Sequence, residues 1–137
     1  MYGGKDNEFR GNLVTDTVAS GGGMLVSSGH GALPFEGFLR VEDNRFVRTG
    51  GECYIDGRNG SLWVHAYESD ITADISFRRL LIEDPDNAGV SIHGPRAIRN
   101  MTFESLQIEK PGKTDIEIMP GTSDIEISVD GRRLMRP

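Results

Sequence analysis

Apolar and polar residues alternate in a pattern that recurs along the second half of the chain. Ile75, Phe77, Leu80 and Ile82 are answered by Met101, Phe103, Leu106 and Ile108, each pair 26 residues apart. Each copy then passes a proline, Pro85 or Pro111, and a short polar link into a second alternating segment, 89–93 or 114–118. A repeat of this length made of strands reads as a coil that climbs one turn per repeat. Traced backwards, it predicts one inward ladder through Phe9, Val41, Phe77, Phe103 and Ile127. A corner ladder runs through Asn12, Asn44, Leu80 and Leu106, and a second inward ladder through Val14, Phe46, Ile82 and Ile108. The intervals along the first ladder are 32, 36, 26 and 24 residues, so the early turns carry loops. These fall at 28–37 and 51–60, both rich in glycine, and project outward, where such loops tend to line the working face.

A second set of strands follows the corners, at 23–27, 61–67, 89–93 and 114–118. Side chains alternate faces with period two along a strand. With Leu62, Val64 and Ala66 inward, Trp63, His65 and Tyr67 point outward. The same alternation puts Met24, Val26, Val90, Ile92, Ile116 and Ile118 inward, and Leu25, Ser27, Ser91, His93, Asp115 and Glu117 outward. A third short strand per turn is expected at 38–41, 71–75, 97–101 and 123–127. The first six residues read as a frayed lead-in, and residues 130–137 as a lid over the last turn. The pattern predicts an all-β protein, a right-handed parallel β-helix of about four turns, its hand following from the rule for parallel crossovers. The alternative is a small antiparallel β-sandwich, which also suits short strands and turn signals but gives no reason for apolar positions to recur in register.

Composition narrows the class. The 137 residues fit one domain, 1–137, read as part of a longer coil. Eighteen glycines and few long helix-formers favour strands and turns. A net charge of −6, with acids and bases interleaved, argues against a nucleic-acid partner, which calls for a basic stripe. No apolar run reaches a membrane span of roughly 20 residues. The polar first residues show no signal-peptide pattern, so localisation stays open. The single cysteine, Cys53, excludes an internal disulfide framework and reads as a small packing residue.

Several segments carry a family resemblance. They are the glycine-rich turn and strand at 17–28, the stretch 34–37 followed by 41–50, the segment 60–68 with its Leu62–Trp63 pair, and 98–108. In this order they resemble later turns of the β-helix of α-1,3-glucanases and mycodextranases, over roughly residues 7–118. The resemblance implies kinship with polysaccharide-acting β-helix proteins, whose partner is a polysaccharide or oligosaccharide. That family has a cluster of catalytic aspartates that includes an adjacent pair. This chain has no Asp-Asp dipeptide, so no catalytic residue is carried over and enzymatic activity stays undecided.

The residues themselves offer one leading binding feature, the outward row Trp63, His65 and Tyr67. Aromatic faces on a flat sheet accept the C–H face of a sugar ring. The next turns add His93 and Glu117, and Glu68 and the loop residue His30 complete the candidate set. The competing reading packs Trp63 under the 51–60 loop or against an oligomer partner. Glycoside hydrolysis uses two carboxyl groups, about 5 Å apart for retention and about 6.5–9.5 Å for inversion. Strands in neighbouring turns lie about 4.8 Å apart, so stacked acids such as Glu83 or Asp84 over Glu109, or Asp56 with Glu68, suit those spacings. Solvated acids paired with arginine are the plainer reading. His65 over His93 with Glu68 or Asp86 lacks compact metal-ligand spacing, so neither metal nor cofactor is expected. The sequence thus reads as a polysaccharide-binding β-helix domain or part of a glycoside hydrolase or lyase. The alternative is a structural module that homo-oligomerises through the open end of its coil.

Overall fold

The structure is a computed structural model that describes residues 1–17, 22–31, 33–51 and 60–137. Among these there are strands, turns and no helix, so no helix long and apolar enough to cross a membrane. In chain order the strands are β1 (Gly4–Arg10), β2 (Leu13–Thr15), β3 (Met24–Ser27), β4 (Phe35–Glu42), β5 (Arg45–Val47), β6 (Leu62–His65) and β7 (Asp74–Arg78). They continue as β8 (Leu81–Glu83), β9 (Val90–His93), β10 (Ile98–Glu104), β11 (Gln107–Glu109), β12 (Ile116–Ile118), β13 (Ile125–Val129) and β14 (Arg132–Arg136).

The chain visits three sheets in a fixed cyclic order. The first sheet runs β1-β4-β7-β10-β13-β14, the second β11-β8-β5-β2 and the third β12-β9-β6-β3. Every described strand pair is parallel except β13 with β14. This is a β-helix-like arrangement, and its parallel pairing excludes the antiparallel sandwich. The residues expected to form a separate third strand instead run straight into the next copy. Phe35–Glu42 and Ile98–Glu104 are each one strand, with the backbone turned locally at Gly37 and Asn100 (φ 64° and 57°).

The core lies between the three sheets and is built from the ladders. Phe9 faces Val41, Val41 faces Phe77, and Phe77 faces Phe103, with the last two rings stacked at 4.6 Å. Val14, Phe46, Ile82 and Ile108 stack in the second sheet. One ladder member differs from the sequence reading. Val129, not Ile127, faces Phe103, while Ile127 faces Met101. The register shifts between Ile98 and Met101, where one extra residue of β10 bulges against β13.

The corners between first and second sheets are two residues long. Gly11, Asp43, Arg79 and Ser105 occupy the same position in successive copies, all at positive φ (67°, 56°, 52° and 56°). Asp43 and Arg79 each donate their backbone N–H to the following copy, at Arg78 O (3.0 Å) and Glu104 O (2.9 Å). This ladder offsets the cost of a left-handed residue, about 1–2 kcal/mol when it is not glycine. Beside these corners the buried Asn44 accepts from Asn12 N (2.9 Å) and Asn12 Nδ2 (3.0 Å) through Oδ1, and donates from Nδ2 to Phe9 O (2.9 Å).

Both ends differ from expectation. Residues 1–6 are not frayed. The Met1 amino group donates to Leu25 O (2.5 Å), Ser27 N donates to Met1 O (3.0 Å), and Tyr2 bridges Ser27 in parallel. The expected lid over the last turn leaves an apolar groove open there; residues 132–136 are instead the edge strand β14. It turns back through Asp130 and Gly131 (φ 46° and 79°), as a type I′ hairpin requires, and pairs along β13.

Candidate functional site

The third sheet carries the residues singled out from sequence, and its alternation is as expected. Met24, Leu62, Val90 and Ile116 form one inward row, and Val26, Val64, Ile92 and Ile118 the other. The opposite face carries Leu25, Trp63, Ser91 and Glu117 in one row, and Ser27, His65 and His93 in the next.

Trp63, His65 and His93 form one stack. Ring centroids are 5.3 Å apart for Trp63–His65, 5.0 Å for Trp63–His93 and 4.1 Å for His65–His93, with planes within 17°. The indole N–H of Trp63 donates to His93 Nε2. Trp63 is 9% exposed and His93 7%. The Trp63 ring faces His65 and His93 and does not stand open to solvent, so it acts as the base on which His65 is held. Ser91 lies beside Trp63 in register, is 1% exposed, and its Oγ has no hydrogen-bond partner among the described residues.

Tyr67 continues the row outward, 5.1 Å from His65 between centroids, and is 55% exposed. The 28–31 loop is clamped against the turn that carries it. Ser28 Oγ donates to Ser69 O (2.6 Å) and accepts from Tyr67 N (3.0 Å), while Glu68 N donates to Ser28 O (3.3 Å). Gly31 N donates to Glu68 Oε2 (2.7 Å), and Gly29 N to Ser27 Oγ (3.0 Å). His30 therefore sits on a fixed loop at φ 57°, and its ring meets Tyr2 edge-on at 5.7 Å. Tyr2 was not singled out from sequence. Its signal lies in Gly3, at φ 65°, where any Cβ would fall 1.6 Å from Leu33 O. Only glycine lets the first residues approach that closely and lie along β3.

The structure thus brings Trp63, His65, His93 and Tyr67 into one cluster, with His30 on the clamped loop beside it and Glu68 accepting from that loop. Glu117 sits one strand beyond Ser91, and its carboxylate is paired with Lys113. Cys53 and Asp56 lie outside the described residues, as does most of the 51–60 loop. Among the described residues no group of three His, Cys, Asp or Glu could hold a metal ion.

Several of the remaining acids pair with arginine. Glu83 does face Glu109 in register, but its carboxylate accepts from Arg45, and that hydrogen bond holds it below the usual carboxylate range. Asp16 is held low by Arg48 Nε (2.5 Å), and Asp43 by Arg79 Nε (2.5 Å). A carboxylate kept ionised in this way is a poor proton donor for glycoside cleavage.

No protein-family model matches the sequence, and no curated protein matches it. Among solved structures, the chain is similar to the catalytic unit of a thermostable GH87 α-1,3-glucanase from Streptomyces thermodiastaticus. The TM-score is 0.69 at 25% identity, covering 93% of this chain and 30% of that one. It also shares its fold with a GH87 α-1,3-glucanase catalytic domain solved in complex with nigerose, at TM-score 0.69 and 17% identity. There the match covers 93% of this chain and 31% of the other, so the chain spans less than a third of these neighbours' length.

Proposed function

We propose that this chain is a carbohydrate-associated domain, a right-handed parallel β-helix of about four turns, that holds a polysaccharide against its third sheet. The observation that supports the reading best is the placement of His65 and Tyr67 over a packed Trp63–His93 base, with Glu68 bonded to the loop that carries His30. The fold shared with α-1,3-glucanase catalytic domains, one of them in complex with nigerose, points to a glucan as the ligand. In this reading Tyr67 supplies the stacking face, His65 supplies a ring edge for sugar hydroxyls, and Glu68 accepts hydrogen bonds. Binding, not bond cleavage, is the role proposed, and no catalytic residue is assigned. The test is glycan-array binding of the wild type, Tyr67→Ala and Trp63→Ala, with size in solution measured alongside. A specific glucan signal lost in Tyr67→Ala with the fold intact supports the reading. The same array blank for the wild type refutes it.

A second reading, an assembly module, is favoured by the coil's far end. Leu106, Ile108, Ile116, Ile118, Val129 and Leu134 line an open groove there of about 470 Å³, and β11 and β12 are edge strands. Unpaired parallel edges beside apolar side chains are a template for another chain. A stable oligomer without glycan binding would favour it.

A further inference from the structure

We propose that the ligand lies along the coil axis and reaches Tyr2, so that Tyr2 and His30 form a second sugar subsite beyond the one at His65 and Tyr67. The inference rests on the carbohydrate-binding reading above. It starts from a register that only the folded chain displays. Tyr2 pairs with Ser27, Ser27 with His65, and His65 with His93, so four residues on neighbouring strands make one row. His93 is covered, so the accessible span runs from Tyr2 to Tyr67: two strand steps of about 4.8 Å and two residues of about 3.3 Å along the strand, roughly 12 Å. A disaccharide centred on Tyr67 does not reach Tyr2, whereas a longer oligosaccharide does.

The row is polar and aromatic in the middle and open at one end. At the His93 end the rings are covered; at the Tyr2 end the tyrosine is 48% exposed. Between Tyr2 and the 55% exposed Tyr67 stands the loop that carries His30. The two phenol rings are thus separate, accessible faces on either side of a loop clamped by hydrogen bonds at Ser28, Gly29 and Gly31. Ordering these groups in the free protein spares the ligand that entropic cost.

Charge selects the class of polymer. Glu68 is the charged side chain within this set, while arginines such as Arg10, paired with Glu42, and Arg78, paired with Glu104, lie on the outer rows of the first sheet. A carboxylate beside the loop accepts hydrogen bonds from neutral hydroxyls and repels a uronate chain. The ligand is therefore a neutral oligosaccharide of three or more units.

Calorimetric titration with α-1,3-linked gluco-oligosaccharides, from nigerose to the hexasaccharide, tests this. Affinity of the wild type rises with length and then levels off. Tyr2→Ala leaves nigerose binding unchanged and weakens binding of the longest member by about 3–10-fold, the size of one aromatic stacking contact. His30→Ala, which removes the ring that Tyr2 rests on, gives a loss in the same direction, and Tyr2→Phe retains the gain. Wild-type affinity independent of length overturns the inference. So does a full length gain retained in both Tyr2→Ala and His30→Ala. If Tyr67→Ala still abolishes binding at every length, the primary site stands and only its extension fails; no wild-type binding to any member refutes both.

Discussion

The stacked pair Phe77 and Phe103 is the most direct physical handle on the register of the coil. Both side chains are 1% exposed, and their rings lie nearly parallel at 10° with centroids 4.6 Å apart. Replacing either by alanine would cost about 3–5 kcal/mol, and the pair together would approach a typical total stability of roughly 5–15 kcal/mol. Leucine is the more informative probe, because each single change then costs about 1–2 kcal/mol and leaves a folded protein. The ring–ring interaction, about 0.5–1.5 kcal/mol, is lost in the first substitution and cannot be lost again in the second. The double variant should therefore be less destabilised than the sum of the singles by about that amount. Urea unfolding followed by circular dichroism measures all four species, with unchanged denaturant slopes confirming that the folded and unfolded states are comparable. Strict additivity, to within about 0.3 kcal/mol, would mean the rings do not touch and would refute the parallel pairing of β7 with β10.

Three further outcomes follow from particular contacts. Asn44→Ala leaves Phe9 O and the Asn12 donors without their partner and should destabilise by about 2–3 kcal/mol; Asn44→Leu, which copies Leu80 one turn on, should recover part of the apolar packing in thermal melts. Gly94→Ala forces a Cβ to within 2.0 Å of Ala66 O at φ 133° and should lower stability by about 2–3 kcal/mol, with loss of Tyr67-dependent ligand binding. The carboxyls of Asp16, Asp43 and Glu83 titrate below their unfolded values because arginines donate to them. Their contribution is present above the ordinary carboxylate range of about 4 and is lost as pH falls through the lowered folded values. Stability measured from pH 5 down to pH 2 should fall, the fall should shrink at high salt, and Arg48→Gln with Arg79→Gln should flatten it.

Most of the scaffold is legible in the spacing of apolar residues. Phe77, Leu80 and Ile82 repeat 26 residues later because parallel strands of successive turns must present the same side chains to one core. The misplaced ladder member shows where this reasoning slipped. Val129 stands 26 residues after Phe103, as Ile127 does after Met101, so the correct register was present in the sequence. The bulge at the start of β10 lies before that stretch: Ile98 and Ile125 are 27 residues apart, and past it the spacing is 26 again. The alternation of Trp63, His65 and Tyr67 was equally readable, being a period-two pattern fixed by the inward Leu62 and Val64. What alternation does not encode is how much solvent reaches each ring. The Trp63–His93 hydrogen bond and the burial of both follow from neighbours brought together across strands. Tyr2 escaped notice for a related reason, since its place beside His30 depends on pairing with Ser27 and on the close approach at Gly3.

The central claim, that a glucan lies on the third sheet, is tested most directly by titrating isotopically labelled protein with α-1,3-linked gluco-oligosaccharides and following backbone amide shifts. The account expects saturable changes at Ser27, His30, His65, Tyr67 and Glu68, extending to Tyr2 with the longer ligands. Changes centred instead on the outer rows of the first sheet, around Arg10, Glu42, Arg78 and Glu104, or no saturable change at any residue, would contradict it.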